Sequence, residues 1–383
     1  MAKLLDKSAI VTGVDAQEVS EVGELSQGRL TWLRFKRNKL AVIGGIGLIV
    51  LYILVALGPF LASNDYMFQN QDYLYGPPTP ITFIGPDGKL GLRPYTFEVS
   101  TRLDPEAFKF VFDINREHRL PLRFFVQGDE YKLLGLFPSR VHLIGVEGGQ
   151  RFYPLGADAL GRDVFARLLI GGQVSLTVGL VGVALTIVFG SIMGALSGYV
   201  GGLADDIIQR VIELIMSFPT VPLWAALAAA LPPISADFTT LDRYFLITVI
   251  LSLVNWTGLA RQLRAKVMAY RESDFVMAAL AAGASDRRII FAHMLPNASS
   301  HIIVVAALSI PGMILGETAL SFLGLGILPP AVSWGSMLTD AQHVPVVIEH
   351  PWLMTPGVAV ILAVLFYAFL GDALRDAADP YSI

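Results

Sequence analysis

Residues Asp274 to Asn297, DFVMAALAAGASDRRIIFAHMLPN, decide the fold of this chain. The stretch is polar enough to sit in water, yet long apolar runs lie on both sides of it. Its spacing predicts two short helices with a hinge. Ser273 stands where a side-chain oxygen can cap the first helix, and Asp274 suits the positive N-terminal end. Phe275, Ala278, Ala279 and Ala282 recur at helical spacing and give an apolar, mostly small face. Gly283 stops that helix, because glycine reaches the left-handed conformation that a helix end needs. Ser285 is placed to cap a second helix, with Ile289, Ile290, His293 and Met294 on related faces. Pro296 is expected to end it, since its ring cannot continue the hydrogen-bond ladder. Two short helices around a glycine corner make a compact knob, a shape suited to docking in a groove of another protein.

What surrounds the knob is membrane-like. Hydrophobic residues make up 54% of the chain and charged ones 16%, the balance of a polytopic membrane protein. The formal charge of −4 comes with no basic patch interleaved with aromatics, so nucleic acid is not an expected partner. There is no cysteine, which excludes disulfides, thiolate chemistry and cysteine metal sites.

Residues 1–39 read as a polar tail followed by a basic amphipathic cuff. Arg29, Arg34, Lys36, Arg37 and Lys39 flank Trp32 and Phe35, which places the N-terminus in the cytoplasm by the positive-inside rule. Leu40 to Ala62 is the first span, with roughly the 20 apolar residues a bilayer requires. Residues 63–163 then turn polar. Strand-like runs at Ile81–Ile84, Tyr95–Val99, Phe108–Ile114, Leu122–Val126, Lys132–Phe137 and Val141–Val146, with turn signals at Asp87-Gly88 and Gly128-Asp129, predict a small β-rich domain with a core of its own. It follows an inside-to-outside span, so it is expected outside the cytoplasm. Two roles are open to it: a platform for a solute-binding protein, or a packing module.

Residues 164–383 hold the remaining spans. The second, about Leu168–Tyr199, carries Gly190, Gly194 and Gly198 at four-residue spacing, which permits close helix approach. The third, Ile207–Leu231, is interrupted by Pro219 and Pro222 and is expected to kink. The fourth is Tyr244–Leu263, and the basic residues after it put the knob in the cytoplasm. The fifth, about Ile302–Leu325, carries Glu317; an acid at that depth costs about 2.5–3.5 kcal/mol on insertion scales, so it should face protein or water. Glu317 is therefore a candidate for the translocation path, or a hydrogen-bonding partner of another subunit or a loop backbone. The sixth is Pro351–Leu370. Six spans with both termini inside is the resulting count.

Several stretches carry a resemblance. Met277-Ala278-Ala279, Gly283 and Leu295-Pro296 resemble the "EAA" coupling loop of permease subunits of ATP-binding-cassette importers, with Met277 where that family usually has glutamate. Tyr153 to Asp163 resembles the family's P-L-G-T-D-x-x-G-R-D, with Ala157 in place of threonine. Gly316 to Gly326, Ser333 to Leu338 and the ending Asp372 to Pro380 are similar to the dipeptide and oligopeptide branch. The resemblance implies an all-α polytopic fold of the type I importer in the cytoplasmic (inner) membrane; the β-rich insert between spans 1 and 2 lies outside the resemblance. It implies ATPase-coupling residues Asp274, Ala278, Ala279, Gly283, Ala284, Ser285, Asp286, His293 and Pro296. The glycine-rich turn before span 2 reads as an outer-surface clamp cross-linked by Asp158, Arg162 and Asp163. Implied partners are a second homologous permease, two ATPase subunits, an extracytoplasmic solute-binding protein and membrane lipid.

No G-x-x-x-x-G-K-[ST] occurs, so the chain has no P-loop, and ATP is left to partner subunits. No histidine pair has metal-ligand spacing, and no catalytic residue or cofactor is expected. Peptides are the substrate class the resemblance favours, with oligosaccharides, opines or nickel chelates as alternatives. A secondary transporter would favour internal repeats and ionisable groups at mid-membrane, and neither is evident. A membrane scaffold using the insert as a receptor would leave the knob without a purpose.

Overall fold

The computed structural model describes residues 36–84, 90–106, 109–146 and 150–378. The tail 1–27, most of the basic cuff, the Asp87-Gly88 turn signal and the last five residues lie outside them. The first long helix, α1 (Lys39–Ala56), starts where Asn38 Oδ1 accepts the Leu40 and Ala41 amides at 3.0 and 3.3 Å. A short turn, Gly58–Leu61, carries the chain into the insert.

The insert is a four-stranded antiparallel meander, β1 (Ile81–Ile84), β2 (Leu90–Asp104), β3 (Lys109–Leu133) and β4 (Phe137–Val146). Strand β3 changes partner midway. Its first half pairs with β2 as far as Tyr95↔Pro121, and its second half pairs with β4 from Leu122↔Val146. Pro121 sits at the switch, the one place on such a strand where a missing N–H is tolerated. Two sequence expectations are corrected here. Gly128-Asp129 is not a turn but part of a register shift between Gln127 and Tyr131. Lys132–Phe137 is not one strand: Lys132 and Leu133 end β3, residues 134–136 turn, with Leu134 and Gly135 at φ +52° and +74°, and Phe137 begins β4. Nor is there one core. Two small clusters, Tyr73–Tyr153–Ala157 and Leu122–Val146–Phe152, tie the sheet to its flanking segments, while Phe124, Phe125, Leu136 and Phe137 are exposed.

The helical body follows: α2 (Val164–Val200), α3 (Gly202–Met216), α4 (Thr220–Ala229), α5 (Thr240–Arg271), α6 (Asp274–Ala281), α7 (Ser299–Phe322) and α8 (Thr355–Ala378). Among the described residues five helices, α1, α2, α5, α7 and α8, are long and apolar enough to cross a membrane. The expected third span is not one kinked helix. Helices α3 and α4 meet at 87°, and a sixth span exists only if this bent pair counts as one. Pro219 occupies the cap position of α4 and Pro222 its first turn, where proline's missing N–H has no intrahelical partner to lose. The prolines thus start a new helix in a new direction rather than bend an old one.

Helix α2 is the centre of the body, and its glycines explain why. A Cβ on Gly194 would come within 2.6 Å of Ala260 O, and one on Gly198 within 2.7 Å of Arg264 O. The backbones of α2 and α5 touch there, as the four-residue spacing requires. Above this seam Leu176, Leu251, Met313, Ile314 and Trp334 form the main core, all at most 1% exposed. Helix α1 packs on α8, where a hydrogen bond of 2.6 Å joins Tyr52 and Tyr367.

Candidate functional site

The knob is a projection with one buried and one exposed side. Helix α6 buries Val276 completely and Ala279 partly, against a cluster of Leu263, Val267, Ile289, Ile290 and Met294. Phe275, Met277, Ala278, Leu280 and Ala282 are exposed. The apolar face expected from the spacing therefore points mostly outwards, and the single valine anchors the helix. Gly283 closes α6 at φ +77°. Its amide bonds Leu280 O at 2.9 Å and the Ala284 amide bonds Ala279 O at 3.0 Å. Those two bonds make a Schellman motif, which needs a residue in the left-handed region. A Cβ at Gly283 would meet nothing within 4 Å, so conformation and not space selects glycine there.

Three local expectations are corrected. Ser273 sits at the cap position of α6 but its side chain makes no cap bond; its hydroxyl donates to Tyr270 O instead. Ser285 likewise precedes a helical turn, Asp286–Arg288, without a side-chain cap, and only its carbonyl is used, by Ile289 N at 3.0 Å. Pro296 does not end the second helix. The turn widens into a π-helix over Ile289–Met294, and Pro296 falls in the first turn of Leu295–Asn297, where no N–H is needed. The chain then runs on into α7. His293 is half-buried, and its carbonyl accepts from Asn297 Nδ2 at 2.7 Å. Asp274 and Pro296 are exposed and Ala284 is partly buried.

The knob rests on a polar latch that spacing alone did not reveal. Arg264 on α5 forms a two-pronged pair with Asp205 on α3, Nε to Oδ1 at 2.6 Å and Nη2 to Oδ2 at 2.5 Å. Ser197 on α2 donates to the same carboxylate, and Gln209 Nε2 donates to Ser197 Oγ at 3.0 Å. Tyr199 OH donates to Asp286 Oδ1 at 2.7 Å, which ties the knob to the end of α2. The only signal in the sequence was charge: Asp205 and Arg264 lie on separate helices 59 residues apart, and nothing in their spacing pairs them.

The second candidate region is the turn before α2. Asp158, 4% exposed, accepts from Leu160 N at 2.9 Å, Arg162 N at 3.0 Å and Arg162 Nε at 2.8 Å. The Arg167 guanidinium lies 3.2 Å from the same carboxylate. Asp163 caps α2 through Phe165 N at 2.8 Å and accepts from Asn64 Nδ2 at 2.9 Å. Burial pushes the Asp163 carboxyl up to about 7, against the opposing pull of the Asn64 and amide hydrogen bonds. Asp340, from the loop after α7, is also raised, by burial and then by Asp158. Asp158, Arg162, Arg167 and Asp340 line one cavity of about 220 Å³. The turn is thus a cross-linked corner, as its residue types suggest.

Glu317 is fully buried. Ser175 Oγ and Ser321 Oγ donate to its carboxyl at 2.9 and 2.6 Å, and Trp334 N donates to Ser175 Oγ at 3.1 Å. It joins α2, α7 and the Trp334–Met337 turn inside this one chain. Arg243 was missed by the sequence reading. It is 5% exposed, and its Nε and Nη2 donate to Gly326 O and Leu325 O at 2.7 and 2.8 Å, satisfying carbonyls just past the end of α7.

Among known proteins, the chain is 39% identical over 233 residues to the oligopeptide transport system permease protein OppC of Haemophilus influenzae, covering 61% of this chain and 71% of that one. It is 37% identical over 236 residues to the dipeptide transport system permease protein DppC of Alkalihalophilus pseudofirmus, covering 61% and 74%. Among solved structures, an inward facing conformation of the MetNI methionine ABC transporter aligns with 55% of this chain and 95% of that one, at 17% identity and a TM-score of 0.43. Residues 26–78 match the N-terminal TM domain of oligopeptide transport permease C. Residues 186–381, which contain the knob, its latch and Glu317, match the binding-protein-dependent transport system inner membrane component. The sheet, Ile81–Val146, falls in neither match. The chain belongs to the family of binding-protein-dependent transport system inner membrane components, the permeases of ABC importers.

Proposed function

We propose that this chain is one of two permease subunits in an ATP-driven importer of peptides, and that residues 274–297 receive the ATPase. The observation that carries the reading is the division of the knob into a packed base and an exposed face. Val276, Ile289 and Met294 fix the base, while Phe275, Met277, Ala278 and Leu280 are exposed on α6. Exposed apolar groups on a rigid, capped projection are what an interface needs. Met277, at the position of the coupling-loop motif's glutamate, makes this part of the face apolar. Peptides are the substrate class because the OppC and DppC relatives transport oligopeptides and dipeptides. A second permease completes the path, a solute-binding protein delivers the peptide, and ATP is bound only by the partners. Both termini and the knob lie in the cytoplasm, and the sheet lies outside. ATP binding moves the two knobs, and the packed interface between the permeases switches between discrete arrangements.

Purification of the tagged chain in mild detergent, with mass spectrometry of what accompanies it, tests the reading. Two ATPases and a second permease are expected, and a chain that purifies alone under several detergents overturns it. Gly283→Pro is incompatible with φ +77° and removes the amide that bonds Leu280 O. It is expected to abolish peptide uptake while the protein still reaches the membrane. Full uptake by that variant removes the knob from the mechanism.

A further inference from the structure

A pocket of about 760 Å³ opens beside the knob, where the chain enters α7. Three helices each bring one basic residue to it: Lys266 from α5, His301 from α7 and Arg375 from α8. Among the described residues no aspartate or glutamate lines it. The His301 Nε2 is buried and has no hydrogen-bond partner. Asn297 and Ser300 add polar groups to the lining, and Val304, Val305 and Leu308 give it an apolar side along α7. Lys266 and Arg375 are the two cations here, Asp372 and Asp376 line a second pocket together with Arg375, and a buried ring nitrogen without a partner costs free energy. An anion that accepts hydrogen bonds is attracted by the two cations and gives the ring nitrogen a partner.

We propose that this pocket binds the phosphate headgroup of an anionic phospholipid, taken from the bilayer leaflet on the side of the knob. A phosphate diester offers several acceptor oxygens to Lys266, Arg375 and His301, and its acyl chains extend along the apolar wall of α7. Basic pockets between membrane helices have this chemistry, and surface lysines and arginines attract anionic lipid. The site sits between α5, which leads into the knob, and α7, which leads out of it. A bound lipid therefore braces the two helices that carry the knob. The inference uses only the membrane setting of the family, and it stands or falls apart from ATPase docking.

The test uses the purified importer in nanodiscs of phosphatidylcholine with a minor fraction of phosphatidylglycerol, and counts protein-retained lipid by native mass spectrometry. The wild type is expected to retain phosphatidylglycerol above its share of the disc. Lys266→Gln and Arg375→Gln are each expected to reduce that preference about five-fold, the effect of removing one cation near a lipid surface. Arg210→Gln, which removes an exposed arginine of α3 paired with Glu213 at 3.0 Å, is expected to leave it unchanged. His301→Gln, which keeps a hydrogen-bond donor, is expected to retain most of the preference, and His301→Leu, which removes it, to lose part. Thermal melting of each variant accompanies the count and separates loss of the site from loss of the fold. No preference in the wild type, or an equal loss in Arg210→Gln, overturns the proposal. So does displacement of the lipid by inorganic phosphate, which marks a site for a water-borne anion.

Discussion

Asp163 shows how a single residue serves two demands. Its type and position, just before an apolar run, mark it as a helix cap, and it caps α2. What the sequence does not carry is its burial, in which Asn64, 99 residues earlier in the chain, bonds both its carboxylate and Phe152 O, the latter at 2.6 Å. With its pKa raised to about 7 from 3.8, the native state holds a proton that the unfolded chain has released. Between those values the folded state binds more protons, so the contribution of Asp163 to stability falls as pH rises, and the cost persists above about 7. Asp163→Asn keeps an acceptor for Phe165 N and cannot ionise. The variant is expected to melt with a flatter dependence on pH across that window, read by thermal denaturation in detergent at pH 5 and pH 8. An unchanged slope would show that Asp163 does not titrate there.

Among the elements, the junction of α2, α3 and α5 is where the knob acquires its rigidity. Glycines at 194 and 198 bring α2 and α5 into backbone contact, and the Arg264–Asp205 pair pins α3 across both. The pair is part-buried, with side chains 30% and 15% exposed, so removing one partner leaves a charge that water only partly compensates. Arg264→Leu is expected to destabilise the protein by about 1 kcal/mol, the upper range for solvent-screened pairs. Adding Asp205→Leu to it is expected to restore part of that loss. A double-mutant cycle by chemical denaturation checks this, and strictly additive effects would mean that the latch carries no coupling. Local signals failed at this scale wherever a tertiary partner competed. Proline at 219 and 222 signalled a break but not an 87° turn, because the direction of α4 is set by Trp224 and Ala228 packing into the main core. The serines at 273 and 285 occupy cap positions without capping, since Ser273 found a carbonyl of α5 nearer than the amides ahead of it.

For the molecule as a whole, the insert and the helical body are joined through a few contacts that tell how to separate them. Thr79 N bonds Tyr153 O at 2.9 Å and Tyr153 N bonds Thr79 Oγ1 at 3.1 Å, so the two stalks of the sheet lie side by side at its base. Removing residues 81–150 and joining Pro80 to Arg151 through a short glycine linker leaves the Asp158–Arg162–Asp163 corner intact. The shortened chain is expected to reach the membrane and to keep its ATPases, while binding of the solute-binding protein weakens. Unchanged docking would assign the sheet to packing alone. The sequence by itself determined the class of the protein, the long apolar helices, the knob and its glycine corner, because hydropathy, small-residue spacing and the left-handed requirement at Gly283 are local properties. The tertiary structure decided the rest. Glu317 became a buried partner of Ser175 and Ser321, Asp205 met Arg264, and Lys266, His301 and Arg375 came to line one pocket. Each of those depends on which helices pack together and at what rotation, and that is fixed by the summed fit of many side chains that no short stretch contains.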